Sequence, residues 1–143
     1  MQMTIECIRD VLDYIAEHQH FKNETINKDK NVKYKFVRLG EYTLIQDLIK
    51  TKGTKTYTEE DIAYTITCLI DGGYLFTPHD DAKEYRCSSD HSIFCLSYQG
   101  DEFYKSIAPP TVWKQIEEKF ANHINPPLTL LLNVAKIIIS TIK

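Results

Sequence analysis

The chain has no excess of positive charge: 17 Lys and Arg stand against 20 Asp and Glu over 143 residues, a formal net charge of -3. A whole-molecule attraction to nucleic acid is therefore absent, and any such binding needs a local patch. The four cysteines, Cys7, Cys68, Cys87 and Cys95, are too sparse for a disulfide scaffold. No signal peptide is readable at the start, so the expected setting is the cytoplasm with reduced thiols. There is no Gly-rich phosphate loop, nucleophile elbow or metalloprotease helix, and no internal repeat. His18, His20, His79, His91 and His123 have no partner at a telling spacing. These absences point away from an enzyme and imply no cofactor. What the chain does have is 43% hydrophobic residues, enough at this length for one buried core.

The stretch from Tyr57 to Tyr74 is the clearest element. Thr58 followed three residues later by Asp61 reads as a capping box, in which the hydroxyl takes an orphan amide and the carboxylate suits the positive helix end. Ile62, Ala63, Ile66, Leu69 and Ile70 then follow a 3.6-residue period, and Gly72-Gly73 supplies a left-handed stop. Glu60, Tyr64, Thr67, Cys68 and Asp71 fall on the outward face, which has no Lys or Arg.

The same reading predicts a first helix from Thr4 to about Gln19 with Ile5, Ile8, Leu12 and Ile15 inward, flanked by Cys7, Val11 and Tyr14. Residues 21 to 32 are polar and read as an exposed connection, and Lys33 to Leu39 alternates like a half-buried strand. Glu41 to Lys52 is a short amphipathic helix closed by Gly53. Tyr74 to Thr77 and Ser92 to Tyr98 make a hairpin with a long tip. After Gly100 comes a further turn of helix. Beyond Pro109-Pro110 a helix places Val112, Trp113, Ile116 and Phe120 inward, and Asn125-Pro126-Pro127 precedes a last helix from Leu128 to Ile142. The expected fold is mainly α, of α+β type: a winged helix-turn-helix-like domain over residues 1–107 with a β-hairpin wing, and a helical C-terminal extension over 108–143.

Two stretches, YTEEDIAYTITCLIDGGYL and LSYQGDEFYKSIAPPTVWKQIEEK, resemble an uncharacterised family of bacterial and phage proteins, the domain of unknown function family 2513. Gly72-Gly73 match the family's Ala-Gly turn, Ser97-Tyr98-Gln99-Gly100 its Thr-Trp-Glu-Gly, Glu102-Phe103 its Glu-Phe, and Val112-Trp113 its late Val-Trp. Asp101 stands where the family has His, Tyr98 replaces Trp, and Thr65 follows Tyr64 where Tyr-His is common. The resemblance implies a winged-helix fold and a phage or prophage setting, and it brings no known activity.

Three groups of residues are candidates for function. Lys28, Lys30, Lys33, Lys35, Arg38, Lys50, Lys52 and Lys55, against Asp29, Glu41 and Asp47, form a local basic excess. Of these Lys33, Lys35, Arg38, Lys50, Lys52 and Lys55, with Tyr64, are the residues that would meet a nucleic acid backbone. The bland alternative is that the lysines solvate a loop and a strand edge. The acidic outward face of the central helix and the acids around Lys83 and Arg86 in the wing disfavour DNA. His79, Cys87, His91 and Cys95 share the hairpin, but their spacing matches no common zinc site, and no metal is expected.

The last helix is the third candidate. Leu128, Leu131, Leu132, Ala135, Ile138, Ile139 and Ile142 form one apolar side, and Leu130, Val134 and Ile137 extend it. At about 1.5 Å per residue the helix is roughly 22 Å long, short of a hydrocarbon core of about 30 Å, so a membrane is not an expected partner. Positions 128, 131, 135, 138 and 142 step three, four, three, four, the spacing of a coiled-coil seam. The expected partners are further copies of the chain through this helix, with a protein partner as a further possibility; packing onto the first helix is the alternative.

Overall fold

The computed structural model describes residues 2–18, 21–26, 31–36, 39–52, 57–76, 92–93, 95–121, 123 and 125–142. In chain order these form α1 (Ile5–His18), β1 (Phe21–Ile26), β2 (Asn31–Phe36), β3 (Leu39–Gly40), α2 (Glu41–Lys52), α3 (Glu59–Asp71), β4 (Leu75–Phe76), β5 (Ser92–Ile93), β6 (Cys95–Leu96), α4 (Tyr98–Ile107), α5 (Pro110–Phe120) and α6 (Leu128–Ile142). The architecture is mainly helical with short antiparallel strand pairs, and among the described residues no helix is long and apolar enough to cross a membrane.

α1 buries the stripe read from its sequence, Ile5, Ile8, Leu12 and Ile15, together with Cys7 and Val11. α2 buries Leu44, Ile45 and Leu48 against it and against α3. α3 carries the expected capping box: Asp61 N–H donates to Thr58 Oγ1 at 3.2 Å, and Thr58 N–H donates to Asp61 Oδ2 at 3.0 Å. The buried set is Ile62, Thr65, Ile66 and Leu69, while Ala63 and Ile70 are only half-buried. Thr65 replaces them in the core because its hydroxyl is satisfied locally, donating to the Asp61 carbonyl at 2.7 Å and lying 3.3 Å from Cys7 Sγ.

The strand expected from Lys33 to Leu39 is divided between β2, which ends at Phe36 and pairs with β1, and β3, which pairs with β5; the strands differ from expectation at two further places. Residues 21–26 are not a plain connection: they pair antiparallel with β2, Phe21 opposite Phe36 and Ile26 opposite Asn31. A polar strand has no apolar period to announce it, and only its partner identifies it. The second difference is that the returning strand stops at Leu96. Ser97 caps α4, accepting from Gly100 N–H at 3.0 Å, so Tyr98 opens a helix rather than ending a strand. β3 pairs with β5 and β4 with β6, both antiparallel, which places the expected hairpin between the end of α3 and α4. The tip of that hairpin lies outside the described residues.

The turn after α3 and the start of α4 are joined backbone to backbone. Gly73, at φ 80°, closes α3: its N–H donates to Ile70 O at 3.0 Å, and Tyr74 N–H donates to Leu69 O at 2.9 Å. Ser97 N–H then donates to Tyr74 O at 3.1 Å, and the Ser97 hydroxyl donates to Gly73 O. Gly100 sits so close that an added Cβ would fall 1.8 Å from Tyr74 O. Phe103, fully buried one turn on, meets the Tyr74 ring edge-on at 5.2 Å.

The last two helices complete the same core. Val112, Trp113, Ile116 and Phe120 of α5 are buried as predicted, and the Arg9 guanidinium of α1 lies 4.8 Å over the Trp113 ring. Asn125, at φ 56°, exchanges two hydrogen bonds with Met3: Asn125 N–H to Met3 O at 3.0 Å, and Met3 N–H to Asn125 Oδ1. α6 packs on α4 and α5 rather than on α1. One continuous buried cluster runs from Met3 to Ile138, across the sequence boundary at 107 and 108.

Substituting Gly100→Ala should destabilise the fold by about 3 kcal/mol or more, because the obstructing atom is backbone and has little room to yield. Gly40→Ala, whose Cβ would have Thr43 Oγ1 at 3.7 Å as its neighbour, should cost far less. Urea unfolding of both variants checks this; equal losses would mean that the Tyr74–Gly100 approach does not constrain the fold.

Candidate functional site

The outward side of α3 is acidic. Glu59, Glu60 and Asp71 are exposed, and the last turn holds no basic residue. Burial alone would push the Asp61 carboxyl up, but hydrogen bonds from Thr58 N–H and, at 2.9 Å, Gln2 N–H hold it below its ordinary value. Its charge is thereby fixed at the N-terminal end of α3, where the helix dipole favours it. Tyr64, placed with the nucleic-acid residues, is half-buried; a hydrogen bond with Cys68 one turn on raises its phenol pKa.

The basic residues of that group are divided among elements. Lys33 and Lys35 lie in β2, opposite Glu24 and Lys22 of β1, while Lys50 is exposed near the end of α2 and Lys52 is its last residue. Arg38 and Lys55, like Lys28 and Lys30, lie outside the described residues. So do His79, Cys87 and His91 of the hairpin. Cys95 is buried on β6, and burial pushes its thiol up, as suits a small apolar packing residue rather than a thiolate ligand. Among the described residues no three His, Cys, Asp or Glu side chains converge as a metal site.

A set of polar contacts that the sequence did not reveal surrounds α1. Tyr57 donates from its hydroxyl to Asp10 Oδ2 at 2.7 Å, Tyr104 of α4 donates to Asp13, and Tyr14 donates to Asp47 of α2. Each bond joins α1 to a different part of the chain. The partners are 33 to 91 residues apart, so spacing alone had no way of pairing them. A partial signal existed: Asp10, Asp13 and Glu17 recur at i, i+3 and i+7 on one side of α1. Together with Asp47, Tyr14, His18 and Thr51 they line a groove between α1 and α2. The His18 ring stacks on Tyr14 at 4.0 Å, and its Nδ1 lies 2.9 Å from the Tyr14 carbonyl. The three aspartates serve as acceptors that fasten helices together.

α6 has two apolar sides with different fates. Leu131, Ala135 and Ile138 are buried, 2%, 0% and 3% exposed, and Leu128, Leu132 and Ile139 are half-buried. The side expected to form an intermolecular seam is therefore largely covered by α4 and α5 of the same chain. The side chain of Ile142 lies outside the described set. Leu130, 46% exposed, and Ile137, 63% exposed, remain on the surface. Lys136 is tied across to Glu102 of α4 at 2.9 Å.

No family model, curated protein or solved structure matches this chain. Its surfaces are thus read on their own chemistry.

The tyrosine contacts predict an alkaline transition. Burial first, then the bonded aspartate, pushes the Tyr14 and Tyr104 phenols up to about 12, from an ordinary value near 10. The fold therefore favours the neutral phenols. Their stabilisation is complete below pH ~10 and is lost as pH rises from there through about 12. Tyr104→Phe should cost about 1 kcal/mol at pH 8 and show a smaller further loss between pH 10 and 12 than the parent. Urea midpoints across that range test this, and parallel curves for parent and variant would refute it.

Proposed function

We propose that this chain is a cytoplasmic, non-enzymatic winged-helix protein of phage or prophage type that acts as a protein-interaction or regulatory module. The order of elements supports the winged-helix reading. α1, β3, α2, α3, β4 and the returning β5 and β6 follow one another, with β3 and β4 pairing with successive parts of the return. The β1–β2 hairpin is then an insertion between α1 and β3. The resemblance of the Gly72-Gly73 and Ser97-to-Gly100 stretches to family 2513 agrees with their close approach here.

The observation that carries the functional reading is the outward face of α3. In the usual winged-helix docking this helix enters the major groove, where base edges and phosphates call for donors and positive charge. Glu59, Glu60 and Asp71 are exposed instead, and phosphates would be repelled. The same face can present carboxylates and half-buried side chains to a protein. Asp10 and Asp13 of α1 and Asp47 of α2 each accept from a tyrosine, which supports structural rather than acid–base roles for them.

The second reading, a DNA-binding regulator, draws on the hairpin register, which sets Lys22 opposite Lys35 beside Lys33. Fluorescence anisotropy with a labelled duplex at about 50 mM salt separates the two. The interaction reading predicts binding weaker than about 100 µM, the weak end of non-specific affinities. Micromolar binding that falls steeply with salt, and is lost in a Lys33, Lys35, Lys50 and Lys52 quadruple alanine variant, would replace it with the DNA reading.

A further inference from the structure

The uncovered side of α6 has a pattern of its own. Leu130 and Ile137 are 46% and 63% exposed, Val134 between them is half-buried, and Thr141 is exposed. These positions step four, three, four, so they form a second stripe of coiled-coil spacing about a third of a turn from the covered one. The covered stripe is already used: Leu131, Ala135 and Ile138 are buried in the chain's own core.

The stripe is also free of charge. Lys136 is the single charged residue in the sequence of α6, and it is engaged with Glu102 at 2.9 Å. The Thr141 hydroxyl donates to Ile138 O and the Ser140 hydroxyl to Ile137 O, both at 2.8 Å, so these polar groups are satisfied within the helix. A partner selected by charge finds no handle here, and neither does an anionic lipid surface. A two-fold contact sets a patch against its own copy, and an uncharged apolar patch is self-complementary where a charged one repels itself.

We propose that α6 pairs with α6 of a second copy of this chain through Leu130, Val134, Ile137 and Thr141. The seam is intermolecular on this side and intramolecular on the other, so α6 is shared between the chain's own core and its partner. Two helices of about 22 Å bury less than the roughly 1,200 Å² of a standard stable interface. The dimer accordingly belongs to the small, transient class of interfaces.

Sedimentation equilibrium of the full chain between about 10 and 500 µM tests this. The apparent mass should rise from the 16.6 kDa of one chain toward that of two. Ile137→Lys should hold the protein monomeric throughout that range while leaving its urea midpoint unchanged, because the position is exposed. Leu130→Lys should do the same, so that one poorly behaved variant does not decide the matter. A monomeric parent at the highest concentration overturns the proposal, and so does a dimer that survives both substitutions. DNA binding by a chain that still dimerises would remove the protein-interaction reading and leave this seam in place.

Discussion

α1 is used on two sides at once, and the rest of the structure depends on that. Its apolar stripe, from Ile5 to Ile15, is buried in the core. Its flank offers Asp10 and Asp13 to the phenols of Tyr57 and Tyr104, and Tyr14 reaches Asp47. Arg9 extends to Trp113 of α5, and Cys7 lies against Thr65 of α3. Hydrophobic contact is non-directional, and directional bonds on the flank add to what close packing of the stripe already fixes. The phenol–carboxylate bonds add directional ties from α1 to α2, to the segment just before α3 and to α4. Their partly exposed setting limits what each contributes to stability, so their main effect is on geometry.

α6 rests mainly on helices other than α1. It is held by α4 and α5, with the Glu102–Lys136 ion pair at its side. Burying Leu131 and Ile138 is worth about 1.5–3 kcal/mol each, which makes this helix a working part of the core. Its outer stripe, with Leu130 and Ile137, stays exposed. The acidic face of α3 and the outer stripe of α6 thus differ in chemistry, the first carrying exposed carboxylates and the second exposed apolar side chains.

Much of this was readable from residue order. α1, α2, α3, α5 and α6 each carry a 3.6-residue period, with glycine after α2 and α3 and proline opening or preceding α5 and α6, and the Thr58–Asp61 box and the Gly73 turn are local chemistry that needs no tertiary context. What escaped depends on distant partners. β1 is polar on both sides and exists through its pairing with β2. The start of α4 was hidden because Ser97 and Tyr98 continue the alternation of the preceding strand, while the decisive contacts of Ser97 are with Gly73 and Tyr74. Thr65 is buried because of a bond to its own helix that binary patterning ignores. The apolar sides of α6 looked alike in sequence, and only the positions of α4 and α5 decided which was covered.

The C-terminal helices and α1 belong to one core. Native-state hydrogen exchange measures it most directly, because amides that open only with global unfolding share one free energy. With a shared core, the slowest amides of α1, α4 and α6 should exchange with the same free energy and respond alike to low urea. Amides of α6 that exchange several kcal/mol more readily than those of α1, with a shallower urea dependence, would show a separable extension and contradict it.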